Sequence, residues 1–248
     1  SLKLPERISE VGRLRKGAAY GWQGMPSAPG DWPTFRGGPE RFGATGYPVS
    51  KQPRQQWQTD LGGRLSAVTV AGGKLYVAAV DRHTVYALDA DTGERRWHYT
   101  AGGRIDSPPT VYRGLVLFGS ADGWIHALRS TDGVLAWKYR GAPLDRRVTA
   151  FEQLESAGPV HGSVLVHNGE LYTVAGRSMF LDEGVRWLKL NPLTGEKITE
   201  VVLDERDPEG EGDLHRRVKN LNMPVALTDV LATDGENIFM RSQRFDTD

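Results

Sequence analysis

Residues 87–97 read Ala87-Leu88-Asp89-Ala90-Asp91-Thr92-Gly93-Glu94-Arg95-Arg96-Trp97: the end of an apolar run, an Asp/Thr-Gly turn, and a tryptophan four residues past the glycine. Forty residues later the frame returns, with Ala127-Leu128, Gly133 and Trp137 at the matching positions. Working outward, Trp57 precedes Trp97 by the same forty residues, Gly62-Gly63-Arg64 recurs as Gly102-Gly103-Arg104, Leu75 as Leu115, and Tyr99 as Tyr139. That many matches at one offset mark a repeated structural unit. Within the first unit, Ala67–Val70, Lys74–Val80, Thr84–Leu88 and Arg95–Thr100 are short runs rich in Val, Tyr, Leu and Trp, separated by Gly- and Asp-bearing breaks. Such runs and breaks predict four strands joined by tight turns. Lys74–Val80 is nearly all apolar, as in a strand covered on both faces.

A third unit carries longer connections: Gly162–His167, Glu170–Ala175, Val185–Leu190 and Ile198–Leu203 form its expected strands, and Thr199 stands where the tryptophan would be. A fourth unit is expected to open at Met223–Leu227, turn at Asp234-Gly235 and continue through Asn237–Arg241. Four strands per forty residues is the length of one propeller blade. The expected fold is therefore all-β: a β-propeller of four-stranded antiparallel blades, about three complete and others partial. The blade units are placed at about 64–103, 104–143, 156–203 and 223–248, the last partial, within a propeller region 31–248. With so few blades the chain is expected to be part of a larger propeller, its remaining blades supplied elsewhere. The alternative is a four-blade ring closed by Gln55–Thr59. Residues 1–30 are expected to be an N-terminal arm or linker, or the end of a preceding domain. Pro5–Lys16 is expected to form a short helix with Ile8, Val11 and Leu14 inward.

Composition narrows the function classes. The chain has 31 basic and 31 acidic residues, which argues against general nucleic-acid binding. It has no cysteine, so disulfides, thiolate metal sites and cysteine nucleophiles are excluded. No apolar run reaches 18 residues, so no transmembrane helix is expected, and no signal-peptide pattern is visible in the first thirty residues. No Walker loop or G-x-S-x-G elbow occurs. Asp89–Gly93 lacks the acid that would complete a calcium loop, because Thr100 stands at the twelfth position. His161 and His167 are read as separate surface histidines rather than a metal pair, and the charge-rich run Asp204–Lys219 as a solvated loop or a docking loop.

The stretch Ala87–Trp97 resembles the tryptophan-docking motif of quinoprotein propellers, A-x-D-x-x-T-G-x-x-x-W, at Ala87, Asp89, Thr92, Gly93 and Trp97. The second unit keeps Ala127, Gly133 and Trp137 but has Arg129 and Asp132 in the Asp and Thr slots. Asp31-Trp32-Pro33-Thr34-Phe35-Arg36-Gly37 looks like the lead-in that precedes such propellers. The chain thus resembles the PQQ-like repeat proteins, among them the BamB-like assembly scaffolds. That resemblance implies a structural role for Trp57, Trp97 and Trp137, and export to the periplasm or cell envelope. It implies one of two activities: a non-catalytic propeller that binds proteins or ligands, or part of a dehydrogenase using PQQ and Ca²⁺. A carbohydrate-binding or carbohydrate-active propeller is a third alternative. No cofactor or metal ligand set is assigned, and PQQ and Ca²⁺ come from the resemblance alone.

Propeller loops alternate between two faces. The turns Gly72-Gly73, Arg113-Gly114, Asn168-Gly169 and Asp91–Glu94 share one face and are short. The other face collects the longer, charged connections and the insertions 141–156 and 176–184. Function concentrates in loops held by a rigid scaffold. The candidate binding residues are therefore Arg64, Arg104, Asp106, Arg146, Arg147, Glu155 and Arg177. They could ring a small anionic or sugar ligand or meet a protein partner; alternatively the arginines bridge to Asp106, Asp145 and Glu155 between blades.

Overall fold

The computed structural model describes residues 8–48, 50–161, 164–206, 228–241 and 243–246. One helical turn, α1 (Glu10–Arg13), runs into β1 (Leu14–Lys16). Sheet one is β2 (Thr69–Ala71), β3 (Lys74–Ala79), β4 (Thr84–Asp89) and β5 (Arg95–Thr100). Sheet two is β6 (Thr110–Tyr112), β7 (Leu115–Gly119), β8 (Trp124–Arg129) and β9 (Leu135–Arg140). A separate hairpin follows, β10 (Arg147–Ala150) and β11 (Gln153–Ser156). Sheet three is β12 (Leu165–His167), β13 (Glu170–Ala175), β14 (Val185–Leu190) and β15 (Lys197–Leu203). Sheet four is β16 (Leu231–Thr233), β17 (Ile238–Met240) and β18 (Gln243–Phe245). All strands pair antiparallel and in sequence order, as the blades of a β-propeller do, except that β1 adds to the outer edge of β9.

The apolar residues that dictate these strands meet between the sheets. Tyr76, Ala78 and Val85 of sheet one pack on Val116, Phe118 and Leu128 of sheet two. Leu117, Ile125 and Trp137 of sheet two pack on Leu171, Leu188 and Leu190 of sheet three. Tyr172, Val174 and Trp187 of sheet three pack on Leu231, Ile238 and Met240 of sheet four. Both faces of β7 are buried, which explains its unbroken apolar sequence.

A single structural joint recurs between sheets. The Trp57 indole donates to the Ala90 carbonyl at 3.0 Å, Trp97 to Ser130 at 3.0 Å, and Trp137 to Pro192 at 3.2 Å. Each acceptor lies in the turn between the last two strands of the next sheet. The turn glycines Gly93, Gly133 and Gly195 all have φ between 71° and 75°, and a Cβ on any of them would collide with the indole. Glycine is required there both for the left-handed backbone and for the close approach. Just before each turn the ladder slips by one residue, after Ala87, Ala127 and Lys189. Such a bulge strengthens the local twist. A fully buried indole removes on the order of 200 Å² from water, worth roughly 5 kcal/mol at 25 cal/mol/Å².

Residues 32–41 thread along the inner strands. Trp32 pairs with Val70 of β2, and Val111 of β6 donates to the Pro33 carbonyl. The Thr34 and Thr110 hydroxyls share a 2.8 Å hydrogen bond. Buried Arg41 donates to the Val164 carbonyl beside β12 and to the Leu231 carbonyl of β16. One short segment therefore ties all four sheets together near the axis. Burial pushes the Arg41 guanidinium down to about 10, partly offset by Glu40.

The N-terminal segment differs from its expectation. Instead of a helix over Pro5–Lys16, one turn gives way to β1, and Val11 is 89% exposed. Residues 1–7 lie outside the described residues. Isolated helices this short gain little from propensity, and strand pairing with β9 supplies the missing hydrogen bonds. The expected strand Met223–Leu227 and most of the run Asp204–Lys219 also lie outside the described residues; sheet four is described from β16 onward.

Candidate functional site

The connections between sheets put charged side chains on one face, where they meet as a network. Arg104, 4% exposed, donates from Nε to Glu155 at 2.6 Å and lies 3.1 Å from Asp106. Asp106 in turn pairs with His161 at 2.7 Å. Burial alone would raise the Asp106 pKa, but the His161 hydrogen bond and the charges of His161, Arg104 and Arg64 hold it below the usual carboxylate range. Arg177, from the 176–184 insertion, stands 3.7 Å from the second oxygen of Glu155. Buried Glu155 thus serves arginines from two blades, an arrangement whose charges must stay paired to be tolerated away from water.

The remaining candidates lie around this knot. Arg64 pairs with Asp81 at 3.2 Å in a solvent-exposed contact. Arg146 pairs with Asp182 at 3.0 Å, and Arg147 is exposed on β10. Asp145 pairs with Arg140 instead, at 3.1 Å. His167 lies against the Gly235 carbonyl, well separated from the contacts of His161. Among the described residues no group of three or more His, Asp or Glu could hold a metal ion.

The element that organises this face carries no strand or turn signal in its residues. The hairpin β10–β11 leans from the link between sheets two and three toward sheet one. Its Gln153 side chain meets the His83 ring at 2.7 Å, and Glu155 at its base anchors Arg104. At its tip, Phe151 (φ 49°) and Glu152 (φ 61°) both adopt the left-handed conformation. Two-residue hairpin turns of this kind ordinarily use Asn-Gly, so neither residue signals the turn. The Phe151 ring is 73% exposed and covers the Arg104 guanidinium, 4.1 Å from its centre. Leu154, opposite Thr149 in the same hairpin, is 55% exposed. Trp124 is buried, and Phe180 packs on the core between sheets three and four.

The sequence model of the outer membrane protein assembly factor BamB family matches residues 44–245. The BamB of Burkholderia pseudomallei is 36% identical over 103 residues, covering 41% of this chain and 27% of the relative. A quinoprotein ethanol dehydrogenase of Pseudomonas aeruginosa is 29% identical over 149 residues, covering 55% and 22%. In structure, a quinohemoprotein alcohol dehydrogenase from Pseudomonas putida aligns over 85% of this chain and 34% of its own, with a TM-score of 0.61 and 18% identity, a likeness of fold. The chain spans about a quarter of the length of the curated relatives it matches.

Proposed function

This chain belongs to the outer membrane protein assembly factor BamB family, and from that premise we propose that it is a non-catalytic propeller scaffold in the cell envelope, holding a protein partner of outer-membrane assembly on its charged loop face. The observation that carries this reading is the hairpin at 147–156. It presents Phe151 and Leu154 to solvent from a base fixed by the buried Arg104–Glu155 pair. Holding a phenylalanine in the left-handed region costs about 1–3 kcal/mol and tends to persist at functional sites. An aromatic beside arginines is the composition of an interface anchor.

The likeness to a quinoprotein dehydrogenase supports a second reading, a share in PQQ- and Ca²⁺-dependent oxidation. Among the described residues, the buried arginine of the charged face does not fit that group: Arg104 turns Nε to Glu155 and Nη1 to Asp106 rather than to an anionic quinone.

The test uses the full-length protein in its own host, with a photo-crosslinking residue at position 151 and, as a control, at Glu94 on the opposite face. The reading predicts adducts with envelope assembly proteins from position 151 alone, lost when Leu154 is changed to Ser. Equal adducts from both positions, or none from 151, would contradict it. Dye reduction on adding PQQ and Ca²⁺ would favour the dehydrogenase.

A further inference from the structure

We propose that the outer rim of sheet two, where Arg15, Lys138 and Arg140 surround Trp124, binds an acidic, extended segment of a partner polypeptide. The observation is an imbalance of charge between the two sides of the β1–β9 edge. On the side facing sheet three, Arg13, Arg186 and Lys197 meet Glu10, Glu183 and Glu200, with contacts from 2.6 to 3.5 Å. That face is neutralised within the chain.

On the side facing sheet one, three cations lie within 5.0 Å of one indole: Lys138 at 4.6 Å, Arg140 at 4.7 Å and Arg15 at 5.0 Å from the Trp124 ring centre. Two carboxylates face them. Asp145 pairs with Arg140 at 3.1 Å. Asp122 is engaged by His126 at 3.4 Å and by the Gly102 and Trp124 amides. Arg15 and Lys138 have no carboxylate within ion-pair distance among the described residues, and both are reachable from solvent. Arg15, Lys138 and Arg140 thus set three positive charges against the two negative ones of Asp122 and Asp145. Burial lowers the Lys138 pKa and repulsion from Arg15 and Arg140 lowers it further, with Asp122 opposing. An added negative charge would relieve that repulsion, and the aromatic ring beneath fixes the cations in place.

The backbone points to the shape of the ligand. β1 is the outermost strand of its sheet, and its far edge makes no backbone hydrogen bond among the described residues. An extended peptide can pair with such an edge, and alternate side chains would then fall on the cationic face. A free phosphate would use the charges but not the edge. This inference concerns the rim and stands apart from the loop-face reading.

The probe is a labelled octapeptide of alternating Glu and Thr, titrated into the full chain by fluorescence anisotropy. Saturable binding that weakens with salt is expected, with Kd raised about tenfold in Arg15→Glu and by a smaller factor in Lys138→Gln. Arg15→Lys should retain binding, and Lys51→Glu should leave it unchanged. Circular dichroism of each variant checks that the sheet persists. An unchanged Kd in folded Arg15→Glu and Lys138→Gln would overturn the proposal. So would a Lys-Thr octapeptide that binds as tightly, or inorganic phosphate that displaces the probe at the same concentration as unlabelled peptide.

Discussion

The turn beneath Trp57 and the turn beneath Trp97 have the same backbone and different chemistry. In both, the glycine amide donates to the residue four places earlier, Gly93 to Asp89 at 2.9 Å and Gly133 to Arg129 at 2.8 Å. In the first, Asp89 accepts from the Asp91 and Thr92 amides and from Arg96. In the second, Arg129 stands at that position and forks onto Asp132, which itself accepts from the Val134 amide. A third solution lies beneath Trp137, where Asn191 accepts from the Leu193 and Thr194 amides. The comparison teaches that the glycine and the indole are fixed by geometry, whereas the side chain bracing the loop can be exchanged.

The strongest way to break that comparison is to remove an indole. Trp137→Ala empties a fully buried position and should cost about 3–5 kcal/mol in chemical denaturation. Trp57→Ala, at a half-buried position, should cost clearly less. Next in size is Gly133→Ala, where the left-handed φ of 75° costs about 1–3 kcal/mol and a Cβ would lie 2.7 Å from the Trp97 ring. The accompanying change in Trp97 fluorescence reports the displaced indole.

Acid distinguishes the three turns. Hydrogen bonds from Arg96 and from the Thr92 amide hold Asp89 at about 2, and Arg129 keeps Asp132 below its usual range. Both are depressed on folding, so their stabilisation is present above an ordinary carboxylate pKa of about 4 and is lost as pH falls toward 2. The indole N–H resonances of Trp57 and Trp97 should therefore shift over that window. Trp137 should shift least, because Asn191, which accepts from the Leu193 and Thr194 amides of its turn, does not titrate. The smallest effect belongs to Asp89→Asn, which copies the third turn and loses only the exposed Arg96 contact. Its Tm at neutral pH should fall slightly below the parent, and Asp89→Ala should fall below both.

The parts of the fold legible in the sequence are those set by local pattern. Glu170–Ala175, Val185–Leu190 and Arg95–Thr100 have the expected bounds, because apolar alternation and glycine turns fix both ends. The strand Leu14–Lys16 was not legible, since three residues become a strand only through β9, more than a hundred residues away. At the candidate site, loop alternation put Arg104, Asp106, Glu155 and Arg177 on one face, and in the structure these four converge. The same reasoning could not see His161 or Phe151 as their partners. The Phe151 contact depends on a hairpin whose turn residues, Phe151 and Glu152, carry no turn signal.

The joint between sheets is tested most directly by hydrogen exchange of the indole N–H protons in tryptophan-labelled protein. The buried, hydrogen-bonded Trp137 proton should exchange slowest, Trp97 next and half-buried Trp57 fastest. Equal rates for all three, or a Trp137 proton that exchanges first, would contradict indoles seated on the following sheet.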